Sequence, residues 1–330
     1  MTKLRPFKVP GTFLDNTKNP SWKEADVAVF GIAFDATASY NKGAWFGPDS
    51  IMAASHQIEY EVPAYGVPLT DKINPHSLGV LEYPRQLKNG LWVEWPHAKL
   101  ESLCNEMVQD TKEVAKRILQ ENKLLIGFGG EHSTANGIFQ ALAEQFSPKE
   151  ITLVHLDAHL DLREALEELH YSHGSVIKRG IELGFNSIHI GIRDHISGEE
   201  AQTIRSQKLS SRIFPCPTMP QAYYKNGSGV FEKKNFLWKG IFSQETIEQI
   251  LELVSTRFAY FSIDVDAFDP AFFPGTGTPL PFGLDFSSTQ DFFYQLFQHL
   301  KQKKRIAGME KAVFEPGWGA AGQTGTGTAF

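Results

Sequence analysis

Apolar runs of strand length alternate along the chain with segments whose apolar residues recur at helical spacing. Residues 26–34 (DVAVFGIAF), 123–128 (KLLIGF), 151–156, 186–192, 257–263 (RFAYFSI) and 305–314 are short, rich in branched and aromatic residues, and read as buried strands. Between them, residues 96–122 place Leu100, Leu103, Met107, Val114 and Ile118 on one helical face. Further helices are expected over 133–145, 172–183, 198–209 and 243–255, and a short one to Ser55 opens at Gly47-Pro48. A last helix is expected to open on a capping box of Ser287 and Gln290, with a core stripe of Phe292, Phe293, Leu296, Phe297 and Leu300. Residues 60–96 alternate poorly and read as loops and short strands, and 212–240 carry no clear period. Strands alternating with helices imply parallel βαβ units, hence a three-layer α/β/α fold around a mainly parallel sheet. No repeat or linker interrupts the 330 residues. A single domain is expected, with an extended lead-in at 1–25 and a loosely structured tail at 317–330.

Ligands of such sheets bind at the carboxyl ends of the strands, and three polar clusters fall there. Gly129-Gly130-Glu131-His132-Ser133 follows the strand at 123–128. Asp157, His159 and Asp161 follow the strand at 151–156, spaced by two so that an extended chain turns all three to one side. Asp264 and Asp266, then Asp269-Pro270, end the strand at 257–263. Each cluster alone could be a polar turn. Together they gather four carboxylates and two imidazoles at one edge, which without cations would cost heavily in repulsion and desolvation. A site for two divalent metal ions follows. Oxygen-rich ligands with some imidazole and no sulfur favour Mn²⁺, with Zn²⁺, Fe²⁺, Co²⁺ or Ni²⁺ as alternatives.

Composition narrows the class further. A net charge of −6 gives no nucleic-acid footprint, and no apolar run approaches the length of a membrane span. Two cysteines far apart, Cys104 and Cys216, exclude a disulfide framework and a thiolate zinc site. The polar, Pro-containing start lacks the apolar core of a signal peptide, so a cytoplasmic protein is expected.

In this order the three clusters resemble the ureohydrolases, the family of arginase and agmatinase, over residues 26–316. Gly43-Ala44-Trp45-Phe46-Gly47-Pro48 is similar to the family's early Gly-Pro motif. The stretches 161–163, 171–174, 191–193 and 274–279 look closest to the agmatinase branch. The resemblance implies an arginase-like fold and a homo-oligomer, trimer or hexamer. It also implies hydrolysis of a guanidino C–N bond with release of urea. One metal would take His132, Asp157, Asp161 and Asp264, the other Asp157, His159, Asp264 and Asp266. By the same resemblance Asp161 orients the attacking water, Asp266 assists proton transfer to the leaving amine, and His173 is a proton shuttle. An imidazole titrating near 6.5 suits that task; the plainer alternative is a histidine capping the helix at 172–183.

Glu164, Glu167 and Glu168 make the expected substrate loop acidic, which favours a cationic amine tail unless they only form a solvated face. Agmatine to putrescine is the first candidate, and Thr278 is a further candidate contact. Ureohydrolases carry a guanidinium-holding Glu three residues before the Pro that ends their last strand. Here that position is Val313 before Pro316. Glu315, of the same strand parity, is the expected replacement, and the family's final helix has no counterpart after Pro316. The alternatives are another guanidino substrate (guanidinobutyrate, formimidoylglutamate or a guanidine-like molecule), or a metal-binding homologue without turnover.

Overall fold

The computed structural model describes residues 4–9, 11–15, 20–58, 73–88, 91–216 and 242–302. Strands β1 (Val27–Ala33), β2 (Pro75–Glu82) and β5 (Leu124–Phe128) form a parallel sheet in the order β2-β1-β5. Strands β6 (Ile151–Leu156), β7 (Asn186–Ile190), β8 (Ile213–Phe214) and β9 (Phe258–Ile263) form a second, also parallel, in the order β8-β7-β6-β9. A small antiparallel pair, β3 (Leu87–Lys88) and β4 (Leu91–Trp92), lies apart.

Every residue of β1, β6 and β9 is buried, so their two faces feed different cores. Phe30 and Ile32 of β1, Leu153 of β6 and Tyr260 of β9 share one core. Helices α2 (His97–Gln120), α3 (Ala135–Gln145), α4 (Val176–Glu182) and α5 (Gly198–Ser206) cover that side. The opposite face of β1 packs Val27 and Val29 with Met52 of α1 (Gly47–Ser55). Val154 and Leu156 of β6 pack with α6 (Gln244–Leu253) and α7 (Phe286–Gln302). Helices on both faces of parallel strands make the three layers expected.

The predicted stripe on α7 is apt: Phe292, Leu296 and Leu300 are buried, and Phe293 and Phe297 pack against the same core. Burying each such side chain contributes about 1.5–3 kcal/mol. Its cap is different. Asp285, not Ser287, precedes the first turn and accepts from the Ser288 N–H at 2.8 Å, and its carbonyl takes the Thr289 hydroxyl at 2.7 Å. An aspartate before the first turn answers its free N–H groups without help from Gln290. The eight-residue β2 is longer than the short strands expected. Its register shifts opposite Val29 and Phe30, and Leu78 bulges out of the ladder, which breaks the alternation. The strand expected at 305–314, with Val313 and Glu315, lies outside the described residues, as do residues 217–241. Both cysteines are buried and unpaired. Among the described residues no helix is long and apolar enough to cross a membrane.

Candidate metal centre and active site

The loops after β5, β6 and β9 meet at the carboxyl edge of the strands. After β5, Gly130 lies flat against β1: a Cβ there would stand 1.9 Å from the Phe34 carbonyl oxygen, so no side chain fits. This contact turns the chain and carries His132 inward. Its Nδ1 stands 2.9 Å from Asp157 Oδ2, 3.1 Å from Asp161 Oδ2 and 3.6 Å from Asp264 Oδ2, while Nε2 meets Ser262 Oγ at 2.8 Å. Beside it, His159 Nδ1 lies 3.3 Å from Asp157 Oδ1 and 3.1 Å from Asp266 Oδ2. Two groups of ligand atoms result, His132, His155, Asp157 and Asp161 in one and Asp157, His159 and Asp266 in the other, each within 4.8 Å and sharing Asp157. Asp264 adjoins the first through the 3.6 Å approach to His132.

Backbone groups fix these carboxylates. The His159 N–H donates to Asp157 Oδ1 at 2.6 Å, the Asp266 N–H to Asp264 Oδ1 at 3.0 Å, and the Ala158 N–H to Asp266 Oδ1 at 3.0 Å. Asp161 adopts a left-handed φ of 53°, a conformation aspartate tolerates better than most residues, and its carbonyl takes the Lys178 N–H at 3.1 Å. Charge follows position. Against its burial, hydrogen bonds from His132, His155 and His159 hold the Asp157 carboxyl well below its usual range. Burial and the neighbouring Asp157 push Asp161 up to about 7, and burial with Asp266 and Asp157 pushes Asp264 well up. Buried carboxyls that resist ionising beside one that stays ionised are what a cation would relieve, and the oxygen-and-imidazole donor set fits divalent metals.

His173 does not cap its helix. Ser172 opens the 3₁₀ turn at 173–175 instead, in a capping box in which its N–H donates to Ser175 Oγ at 3.1 Å. The imidazole reaches back to the loop after β1, with Nδ1 3.2 Å from Thr37 Oγ1 and Nε2 3.3 Å from Ser39 Oγ. The Thr37 hydroxyl meets the buried Glu131 carboxyl, which burial pushes up to about 7, and accepts the His173 backbone N–H at 3.1 Å. Burial, aided by His159 and His132, pushes its pKa down to about 4 rather than leaving it near 6.5.

The loop between Asp161 and His173 separates its three glutamates. Glu164, expected at the substrate, instead reaches Lys178 Nζ at 3.3 Å and Arg179 Nη2 at 3.5 Å. Two cations of α4 close by outcompete a rim position. Glu167 and Glu168 form the tip of a tight turn closed by the Leu169 N–H on the Leu166 carbonyl at 2.9 Å. Both have left-handed φ, 51° and 64°, a strained choice for glutamate. Glu168 is exposed there. Glu167 lines a cavity of about 630 Å³ with Thr37, Ser39, Trp92, Glu94 and Trp95. Thr278, expected at the substrate, donates its hydroxyl to Asp266 Oδ2 at 3.2 Å. Asp269 instead holds a turn, accepting from Ala271 and Gly283 N–H groups at 2.9 and 3.0 Å.

Sequence reasoning missed Arg193 as a builder of the site. It is buried, and its guanidinium donates to the carbonyls of Gly191, Asp266, Ala267, Phe268, Leu280 and Pro281. It thereby ties the Asp264–Asp266 turn to the loop after it. The stretch Gly191-Ile192-Arg193, singled out by resemblance, was the signal that could have found it.

A double cradle of carboxylates and imidazoles at the carboxyl edge of parallel strands defines an α/β metal-site protein. The arginase family's sequence profile matches residues 25–326, and the chain belongs to that family. It is a ureohydrolase, hydrolysing a guanidino C–N bond and releasing urea. The N(1)-aminopropylagmatine ureohydrolase of Synechocystis sp. is 29% identical over 308 residues, spanning 93% of this chain and 87% of that protein. The agmatinase of Bacillus anthracis is 27% identical over 262 residues, or 79% and 74% of the two chains. In fold, the agmatine ureohydrolase of Thermoplasma volcanium superposes with a TM-score of 0.63 at 24% identity, covering 94% of this chain and 87% of that one.

Proposed function

We propose that the substrate is a guanidino compound with a cationic amine tail, agmatine first, cleaved to urea and putrescine. The observation that carries this reading is the cavity beside His173, where Glu94 and Glu167 stand with the indoles of Trp92 and Trp95. The two carboxylates attract ammonium groups and disfavour a carboxylate tail, although Lys42 shares the lining and Arg85 and Lys99 already lie over the Trp92 and Trp95 rings. The volume of about 630 Å³ leaves room for a longer polyamine arm, so N(1)-aminopropylagmatine is the second candidate.

The ligands proposed are His132, Asp157, Asp161 and Asp264 for one cation, and Asp157, His159, Asp264 and Asp266 for the other, with manganese as the metal. When bound, two such cations neutralise the carboxylates and make water acidic enough to act as a nucleophile near neutral pH. Asp161 would orient the attacking water toward the guanidinium carbon. Asp266, held by Ala158 and Thr278, passes a proton to the departing amine. His173 is the proposed proton shuttle, a neutral ring near pH 7 held by Thr37 and Ser39. Glu315, proposed to hold the guanidinium in place of Val313, lies outside the described residues. A cytoplasmic location and a trimeric or hexameric assembly accompany this reading.

Urea release after manganese loading tests it, with agmatine, N(1)-aminopropylagmatine, arginine and guanidinobutyrate in parallel. Preference for either amine-tailed compound supports the acidic cavity; preference for guanidinobutyrate overturns it. Thr37→Val, which keeps shape but removes the hydroxyl, is expected to lower kcat by at least about tenfold with KM little changed. Thr37→Ser should retain most of the rate, and metal content should be equal in both. A Thr37→Val enzyme of full kcat would mean that His173 needs no such hold.

A further inference from the structure

A line of buried polar groups leads from Asp157 into the sheet, away from solvent and substrate. His155 on β6 pairs in register with His189 on β7, so both imidazoles project from the same face. His155 Nε2 lies 2.9 Å from Asp157 Oδ2, and its Nδ1 lies 3.1 Å from His189 Nδ1. His189 Nε2 in turn lies 3.0 Å from Ser187 Oγ. His155, His189 and Ser187 are all buried in the sheet.

The positions of the protons follow from one end. An ionised Asp157 only accepts, so His155 Nε2 must donate. A neutral His155 then presents a bare Nδ1, which obliges His189 to carry its proton on Nδ1. His189 Nε2 is left as an acceptor, and the Ser187 hydroxyl fills it. Any other arrangement sets two lone pairs or two protons against each other, or buries a charged imidazole, and each is costly at such burial.

We infer that His189 and Ser187 are positioning residues: they lock the tautomer of His155 so that its Nε2–H always holds Asp157, the carboxylate shared by both cradles. This rests on the proposed role of Asp157 as a ligand. One rival is built into the geometry. His155 belongs to the first group of ligand atoms, and were its Nε2 to bind a cation directly, its proton would move to Nδ1 and the whole line would reverse.

Long-range ¹H–¹⁵N spectra of the histidine-labelled full chain, metal-free and loaded with diamagnetic Zn²⁺, read the protons directly, the two rings being assigned with His189→Asn. Protons on His155 Nε2 and His189 Nδ1 in both states are expected. A proton on His155 Nδ1 after loading, or a doubly protonated ring in either state, overturns the proposal. Zn²⁺ affinity, measured by competition with a chelating dye, adds an independent readout. His189→Leu is expected to weaken binding by about 10–100-fold, whereas His189→Asn, whose amide N–H can replace the Nδ1–H, should stay within about threefold of the parent. Unchanged affinity in His189→Leu, or equal loss in both variants, overturns it. Thermal unfolding of each variant separates a folding defect from a binding defect, and the spectra of the parent chain need no variant to fold. Correct proton positions without urea release from any amine-tailed substrate would sink the substrate reading alone.

Discussion

Asp157→Ala is expected to abolish binding of both cations and to lower urea release by at least about 10³-fold, the scale of several kcal/mol of transition-state stabilisation. Asp157 is common to the two groups of ligand atoms and, with Asp264, to both proposed ligand sets. Its Oδ2 faces His132 and its Oδ1 faces His159, so one truncation opens both cradles. The truncation also leaves His155 Nε2 without its acceptor in a fully buried place. Asp266→Ala touches only the group built on His159 and should leave one cation bound per chain. Calorimetric titration with manganese distinguishes the two variants by stoichiometry. Two cations bound to Asp157→Ala would show that the carboxylate is not shared.

The second large effect concerns stability without metal. In the cation-free fold the Asp161 carboxyl is raised from 3.8 to about 7 by burial and by Asp157. An unfolded chain releases that proton near pH 4. Between about pH 4 and 7 the fold therefore holds a proton the unfolded chain has lost, and Asp161 withdraws stability progressively as pH rises. Above about pH 7 the whole penalty is present. Asp161→Asn removes it, and asparagine accepts the left-handed backbone at this position. Measured with chelator at about pH 7.5, the variant should be more stable than the parent by up to about 4 kcal/mol. At about pH 3.5, where both states are protonated, the two should unfold alike. An equal gain at both pH values would exclude this origin. The same substitution should weaken cation binding, so a residue that costs the empty fold stability is one the loaded site needs.

The three clusters were legible because their chemistry is local: a strand ends, and the ligands lie within five residues of it. Their convergence needed only the rule that parallel strands deliver their loops to one edge. What escaped the sequence is whatever depends on partners far along the chain. His155 and His189 are 34 residues apart, and only the β6–β7 register makes them neighbours. Glu164 carries the same charge as Glu167, yet Lys178 and Arg179 draw it off while Glu167 turns toward the cavity. The α7 cap moved from Ser287 to Asp285 because both residues suit helix starts and only the fold decides where the first turn begins. The expected titration of His173 near 6.5 ignored its burial, which no residue type announces.

Among the described residues, Arg193 grips the chain by its main-chain carbonyls alone. Its hold on residues 266–268 and 280–281 does not read their side chains. Apart from Asp269 and Thr278, whose side chains hold the turn and Asp266, the loop between those anchors can consequently be rewritten while the turn bearing Asp264 and Asp266 keeps its shape. In an ancestral enzyme such a fastening would let substrate choice drift and leave the hydrolytic centre undisturbed.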